Sequence, residues 1–118
     1  MRRLAIATLA AALVLPAAAE ERETLSGEEI RDTVSGNTVE GSMETSGRYA
    51  EFYAADGTIR GDGYTGAWSV EGDSMCFVYN DGEPDCWEVG REEDQVRWIK
   101  NGVILGTGAV REGNPNDF

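Results

Sequence analysis

Histidine is absent from all 118 residues. That removes Ser-His-Asp and Cys-His nucleophilic sites, and every zinc or haem centre that needs an imidazole ligand. Positive charge is scarce: 10 Lys and Arg stand against 22 Asp and Glu, a formal charge of −12. Phosphate backbones are bound by concentrated Lys and Arg, so nucleic acid is not an expected partner. Only 2 Cys occur, without the C-x-x-C spacing or the positive neighbours of a reactive thiol pair. No apolar run reaches the roughly 20 residues of a membrane span. A chain of this length encodes one small domain at most.

The longest apolar run, 4–15, follows Arg2 and Arg3 and precedes Pro16-Ala17-Ala18-Ala19. A basic start, an apolar middle and small residues at the end read as a secretory signal peptide cut after Ala19. No cysteine sits near that cut to accept a lipid, so the expected destination is the periplasm or the medium. Removing 1–19 takes away two bases and no acids, and the remaining 99 residues carry −14. Leu, Ile, Val and Phe number only 17 there, below the roughly 20 % at which high charge argues for disorder. Against disorder stand 3 Trp, 4 Tyr and 3 Phe, all in this stretch and set in short alternating runs between turn signals.

Residues 20–24 read as an acidic, mobile leader, 25–113 as the single domain and 114–118 as a C-terminal tail. Leu25-Ser26-Gly27-Glu28-Glu29-Ile30 carries a helix start, with Ser26 as N-cap, Glu29 as capping-box partner and Leu25 placed to staple onto Ile30. Ile30 and Val34 share a face, and Gly36 and Asn37 end the helix after two turns. From there the period becomes two. Strands are expected over 38–43, 48–54, 58–60, 66–70, 75–79, 86–89, 96–100 and 103–110, the last weakened or bulged by Gly106 and Gly108. The links are short, so neighbours must run antiparallel, and Asn101-Gly102 is the strongest turn signal. The fold class is mainly β: a short N-terminal helix covering or plugging an antiparallel, lipocalin-like barrel or half-barrel of seven to eight strands, with a β-sandwich as the alternative.

Alternation puts Trp68 and Val70 on one face, continued by Phe77, Tyr79, Trp87, Val89, Val96 and Trp98 on later strands. Cys76 and Cys86 then share the opposite face, and a disulfide between them sets Met75 opposite Trp87. Export and an even count point the same way. The acidic loops at 80–85 and 92–94 lack the spacing of an EF-hand ion site and are read as solvated charge, so no metal or cofactor is expected. Paired carboxylates could serve hydrolysis, but among so many acids the pattern singles out no catalytic residue. Trp68, Trp87, Trp98, Phe77 and Tyr79 could line a ligand cavity inside a small barrel, but with so few aliphatic residues to make a core they are expected to fill it. Tyr49, Tyr53 and Tyr64 fall on the less apolar side and, with Asp81, Glu83 and Asp85, form the expected recognition surface.

The pattern Leu25-Ser26-Gly27-x-Glu29-Ile30, Gly36-Asn37-Thr38, Gly66-x-Trp68-x-Val70-x-Gly72-Asp73-x-x-Cys76, Cys86-Trp87 and Gly106-Thr107-Gly108 resembles a group of small exported bacterial proteins of unknown function. The likeness spans nearly all of 20–118 and carries no catalytic or binding residue with it. Size, export, one disulfide and Trp-rich strands also resemble, in architecture alone, small barrel-shaped periplasmic inhibitors. The expected function is a non-catalytic binding or inhibitory module, the alternative a carboxylate-dependent hydrolase or isomerase acting on a cell-envelope substrate. The charge favours a basic protein, peptide or polyamine as partner, met through the acidic loops.

Overall fold

The computed structural model describes residues 23–118; the expected signal peptide and Glu20, Glu21 and Arg22 of the leader lie outside them. One helix, α1 (Gly27–Val34), precedes eight strands: β1 (Asn37–Met43), β2 (Gly47–Tyr53), β3 (Thr58–Gly61), β4 (Tyr64–Glu71), β5 (Ser74–Val78), β6 (Asp85–Glu92), β7 (Gln95–Lys100) and β8 (Val103–Glu112). Each strand pairs with the next, and β8 pairs with β1 over seven residue pairs from Asn37↔Glu112 to Met43↔Gly106. The sheet is therefore a closed barrel, which excludes the sandwich and the half-barrel and leaves no open edge.

Closure depends on glycines at the seam. Gly41 faces Gly108 across β1 and β8, and a Cβ on Gly41 would collide with the Thr107 carbonyl and the Gly108 backbone. Trp98 pairs with Gly106 while Ile99 pairs with Ile104, so Leu105 is the extra residue of a bulge beside Gly106. The Asn101-Gly102 turn has positive φ at both residues, 51° and 80°, as a type I′ hairpin needs.

The helix forms as its start signals direct. The Ser26 hydroxyl accepts from the Glu29 N–H and the Ser26 N–H donates to Glu29 Oε1, which closes the capping box. Gly27 donates to Asp73 in the β4–β5 turn at 2.8 Å, and a Cβ there would run into the Gly72 carbonyl, so the first turn of the helix lies directly on that hairpin. Ile30 and Val34 are fully buried in one core with Val39, Tyr53, Ile59, Trp68, Met75, Phe77, Val89, Val96 and Trp98. An eight-residue helix is unstable alone; burying two such side chains, at about 1.5–3 kcal/mol each, is what holds it. Arg91 donates to Thr33 and Arg31 to the Val70 carbonyl, tying α1 across the barrel end formed by the β2–β3, β4–β5 and β6–β7 turns.

Thr24 and the segment 114–118 are tied more firmly than the sequence suggests. Thr24, expected in the mobile leader, forms a bridge with Gly90, and Leu25 donates to the Val89 carbonyl. The tail at 114–118 folds back: Asn114 bonds both the N–H and the carbonyl of Phe118, and Asn116 donates to Glu40 on β1.

Cys76 and Cys86 are register partners on β5 and β6 and form the expected disulfide, with Met75 opposite Trp87. Reduction is expected to lower stability by about 2–3 kcal/mol, the loop-closure contribution of a bridge this short. Alkylation of the native protein without reductant, followed by intact mass, should label no thiol; two labelled cysteines would overturn the pairing.

Candidate functional site: the barrel mouth

An up-and-down barrel sends successive turns to alternate ends. The end opposite α1 therefore gathers the β1–β2, β3–β4, β5–β6 and β7–β8 connections. Among the described residues no helix closes it. A cleft of about 500 Å³ enters the barrel there, within the usual range for small-molecule sites. Its walls include Tyr49, Tyr64, Phe77, Tyr79, Trp87 and Trp98, and on its floor lies a carboxylate, Glu51.

Glu51 reaches the interior through the alternation of β2. Tyr49, Glu51 and Tyr53 point inward, while Arg48, Ala50 and Phe52 point out. Although a Glu, it is only 7 % exposed. A buried carboxylate must be hydrogen-bonded to be tolerated, and here three phenols serve it. Tyr53 donates to Oε1 at 2.8 Å, Tyr64 to Oε2 at 2.6 Å, and Tyr79 is shared between both oxygens at 3.0 and 2.9 Å. These contacts take up the roughly four lone-pair positions of the group. Among the described residues no Lys or Arg forms an ion pair with it.

Beside this cup, Trp98 Nε1 donates to the Tyr49 oxygen at 2.7 Å and Tyr49 donates to the Thr107 carbonyl at 3.0 Å. The Tyr49 hydroxyl occupies the space that a Cβ at Gly108 would take, so the glycine seam that closes the barrel also seats this tyrosine. Gly66 does the same for Tyr79, whose ring lies against its Cα. Phe77 stacks on Tyr79 and meets Trp98 and Tyr53 edge to face. At the rim, Lys100 pairs with Asp85 and holds its ammonium 4.5 Å over the Trp87 ring, while Trp87 Nε1 also donates to Asp85.

The electrostatics follow from this packing. Burial first, then the Glu51 charge and the bonds to it, push the Tyr53, Tyr64 and Tyr79 phenols well above their ordinary range. Burial likewise takes Tyr49 up to about 12. The hydrogen bond from Lys100, helped by that from Trp87, draws Asp85 below the usual carboxylate range.

The expected recognition residues distribute unevenly. Tyr64 is at the rim and 41 % exposed, Tyr49 is half-buried in the cleft wall, and Asp81 and Glu83 are exposed in the β5–β6 connection beside the mouth. Asp85 lines the cleft. Tyr53 is a correction: at 1 % exposed it belongs to the core, because β2 turns its Tyr-Glu-Tyr face inward. Trp68 fills the core as expected. Trp98 and Phe77 are buried in the core and also wall the cleft, and Tyr79 and the half-buried Trp87 line the mouth, so four of the five aromatics expected to fill the interior face a cavity. The acidic turn at 93–94 sits between β6 and β7 at the helix end, so it cannot act with the 80–85 loop on one small ligand. Sequence reasoning misses Glu51. The available signal is a Glu spaced at two from tyrosines on both sides.

Among the described residues no group of three or more Cys, Asp or Glu is placed to hold a metal ion, and no helix is long and apolar enough to cross a membrane. No family model, curated protein or solved structure matches the chain.

Proposed function

We propose that the protein is an exported, non-catalytic binding module whose ligand enters the mouth of the barrel. The observation that carries this reading is a barrel capped by α1 at one end and open at the other into an aromatic cleft floored by a buried carboxylate. The signal-peptide pattern and the disulfide support export to an oxidising compartment. The resemblance to small exported bacterial proteins agrees with that placement. Hydrolysis by a carboxylate pair needs one carboxyl kept protonated. The cleft holds two carboxylates, Asp85 and Glu51, and both are taken up by protein donors, Asp85 by Lys100 and Trp87 and Glu51 by three phenols, so neither is left free to act on a substrate bond. This favours binding over the hydrolase or isomerase alternative.

A partner in the envelope would be basic: a polyamine, or a peptide or protein presenting a cationic side chain to the mouth between the acidic residues Asp81, Glu83 and Asp85. The test is retention of small molecules from a cell-envelope extract by the mature protein, read by native mass spectrometry beside Trp87→Ala. A ligand retained by the native protein and lost from the variant is the expected result. Undiminished retention by Trp87→Ala would move the site away from the mouth, and no retention would remove the reading.

A further inference from the structure

We propose that the mouth is a receptor for a small organic ammonium ion carrying an apolar body, an inference that rests on the mouth being a ligand site and names what it selects. The chain has 4 Tyr and 3 Trp. Tyr53, Tyr64 and Tyr79 give their only protons to Glu51, and Tyr49 gives its proton to Thr107. The indole N–H groups of Trp68, Trp87 and Trp98 go to Ala54, Asp85 and Tyr49. Every aromatic donor is committed inside the protein.

A phenol that has donated its proton can only accept. To a ligand, the aromatic cup therefore shows oxygen lone pairs, ring faces and one full negative charge beneath them. An anion meets like charge with none of these donors free for it, and a neutral ligand leaves the charge uncompensated. A ligand with several N–H donors, a positive charge and apolar area satisfies all three features at once.

The protein's own cations leave that charge standing. Lys100 is paired with Asp85, which neutralises the rim rather than the floor. Arg48 reaches the edge of the cleft from the outer face of β2, but it is exposed, its field acts on Glu40, and it makes no ion pair with Glu51. The position of Lys100 also shows the chemistry: its ammonium already rests over Trp87 beside a carboxylate, the arrangement a ligand would find again at Tyr64, Tyr79 and Glu51. A cleft of about 500 Å³ accommodates a small amine with a ring or short chain, not a folded partner.

Three probes of nearly one shape test this: phenethylammonium, phenethyl alcohol and hydrocinnamate, titrated into the mature protein by tryptophan fluorescence and calorimetry. The ammonium is expected to bind at least about tenfold more tightly than the alcohol, as a cation–π contact plus one charge-assisted hydrogen bond would give. The carboxylate is expected to bind least. Glu51→Gln should bring the ammonium to the level of the alcohol. If that variant does not fold, Tyr64→Phe at the exposed rim keeps the ring and frees Glu51 Oε2 from its phenol donor, and it should tighten the ammonium more than the alcohol; an equal effect on the two would overturn the inference. Equal binding of ammonium and alcohol, or preference for the carboxylate, would overturn the ammonium inference while leaving the mouth as the site. Absence of ammonium binding would overturn it too, and the envelope-extract experiment then decides separately whether the mouth binds anything.

Discussion

Above pH 10 the domain is expected to lose stability steeply and to unfold with its tyrosines ionising together. In an unfolded chain a phenol ionises near pH 10. In the native barrel Tyr53, Tyr64 and Tyr79 hold their protons well beyond that, and Tyr49 up to about 12, because burial and then the Glu51 charge oppose a phenolate at all four. Above pH 10 the unfolded state therefore binds fewer protons than the native one, and linkage makes stability fall as pH rises. Each group that keeps its proton only when folded contributes about 1.4 kcal/mol per pH unit. Tyr49 and Tyr53 alone give roughly 3 kcal/mol per unit, while Tyr64, 41 % exposed, adds less because solvent screens it. A domain stable by about 5–15 kcal/mol cannot sustain that slope for long. The molecule supplies its own probe, since all four of its tyrosines line the cleft and phenolate absorbance reports on nothing else. Absorbance and tryptophan fluorescence should move in one coincident transition. Gradual ionisation at ordinary pH in a protein that stays folded would show the phenols to be free of Glu51.

The same cup shows where sequence reading stops. All eight strands and the helix are legible, because short links, turn residues and a two-residue period act locally. Ser26 with Glu29 and Asn101 with Gly102 fix their structures within four residues. Barrel closure is legible only as one of several options, since it depends on Gly41 meeting Gly108, 67 positions along the chain. The facing of β2 escapes local reading for a related reason. Its inward set is Tyr49, Glu51 and Tyr53 and its outward set Arg48, Ala50 and Phe52, two faces of similar polarity that local hydrophobicity does not separate. The inward choice is decided by Tyr64 and Tyr79, which bond Glu51 from 13 and 28 residues away. A buried carboxylate is legible only once its donors are in place. The disulfide, by contrast, is readable because Cys76 and Cys86 belong to adjacent strands of one hairpin.

Replacing Trp68 by Ala is expected to remove about 3–5 kcal/mol, a large part of the total stability of a domain this small. Three attachments make the side chain costly to lose. The residue is 9 % exposed, paired across β4 and β5 with Phe77 and edge to face with Tyr53 at 6.3 Å, so truncation leaves a cavity in the middle of the core. Its indole N–H donates to the Ala54 carbonyl at 2.9 Å, and its backbone N–H to Gly57, so one residue clasps both sides of the β2–β3 turn. That turn lies at the helix end of the barrel, under the core to which Ile30 and Val34 belong. Loss of the ring should therefore also loosen the packing of α1. Two variants separate the contributions. Trp68→Phe keeps most of the apolar area but deletes the donor to Ala54, and should recover more than half of the loss, since a hydrogen bond of this kind is worth about 0.5–1.5 kcal/mol net and an unsatisfied partner about 1–3. Trp68→Ala should fall by the full amount in urea denaturation, with amide exchange accelerated first in the β2–β3 turn and in α1. A loss under about 1 kcal/mol would place Trp68 outside the core and reverse the assignment of faces along β4 and β5.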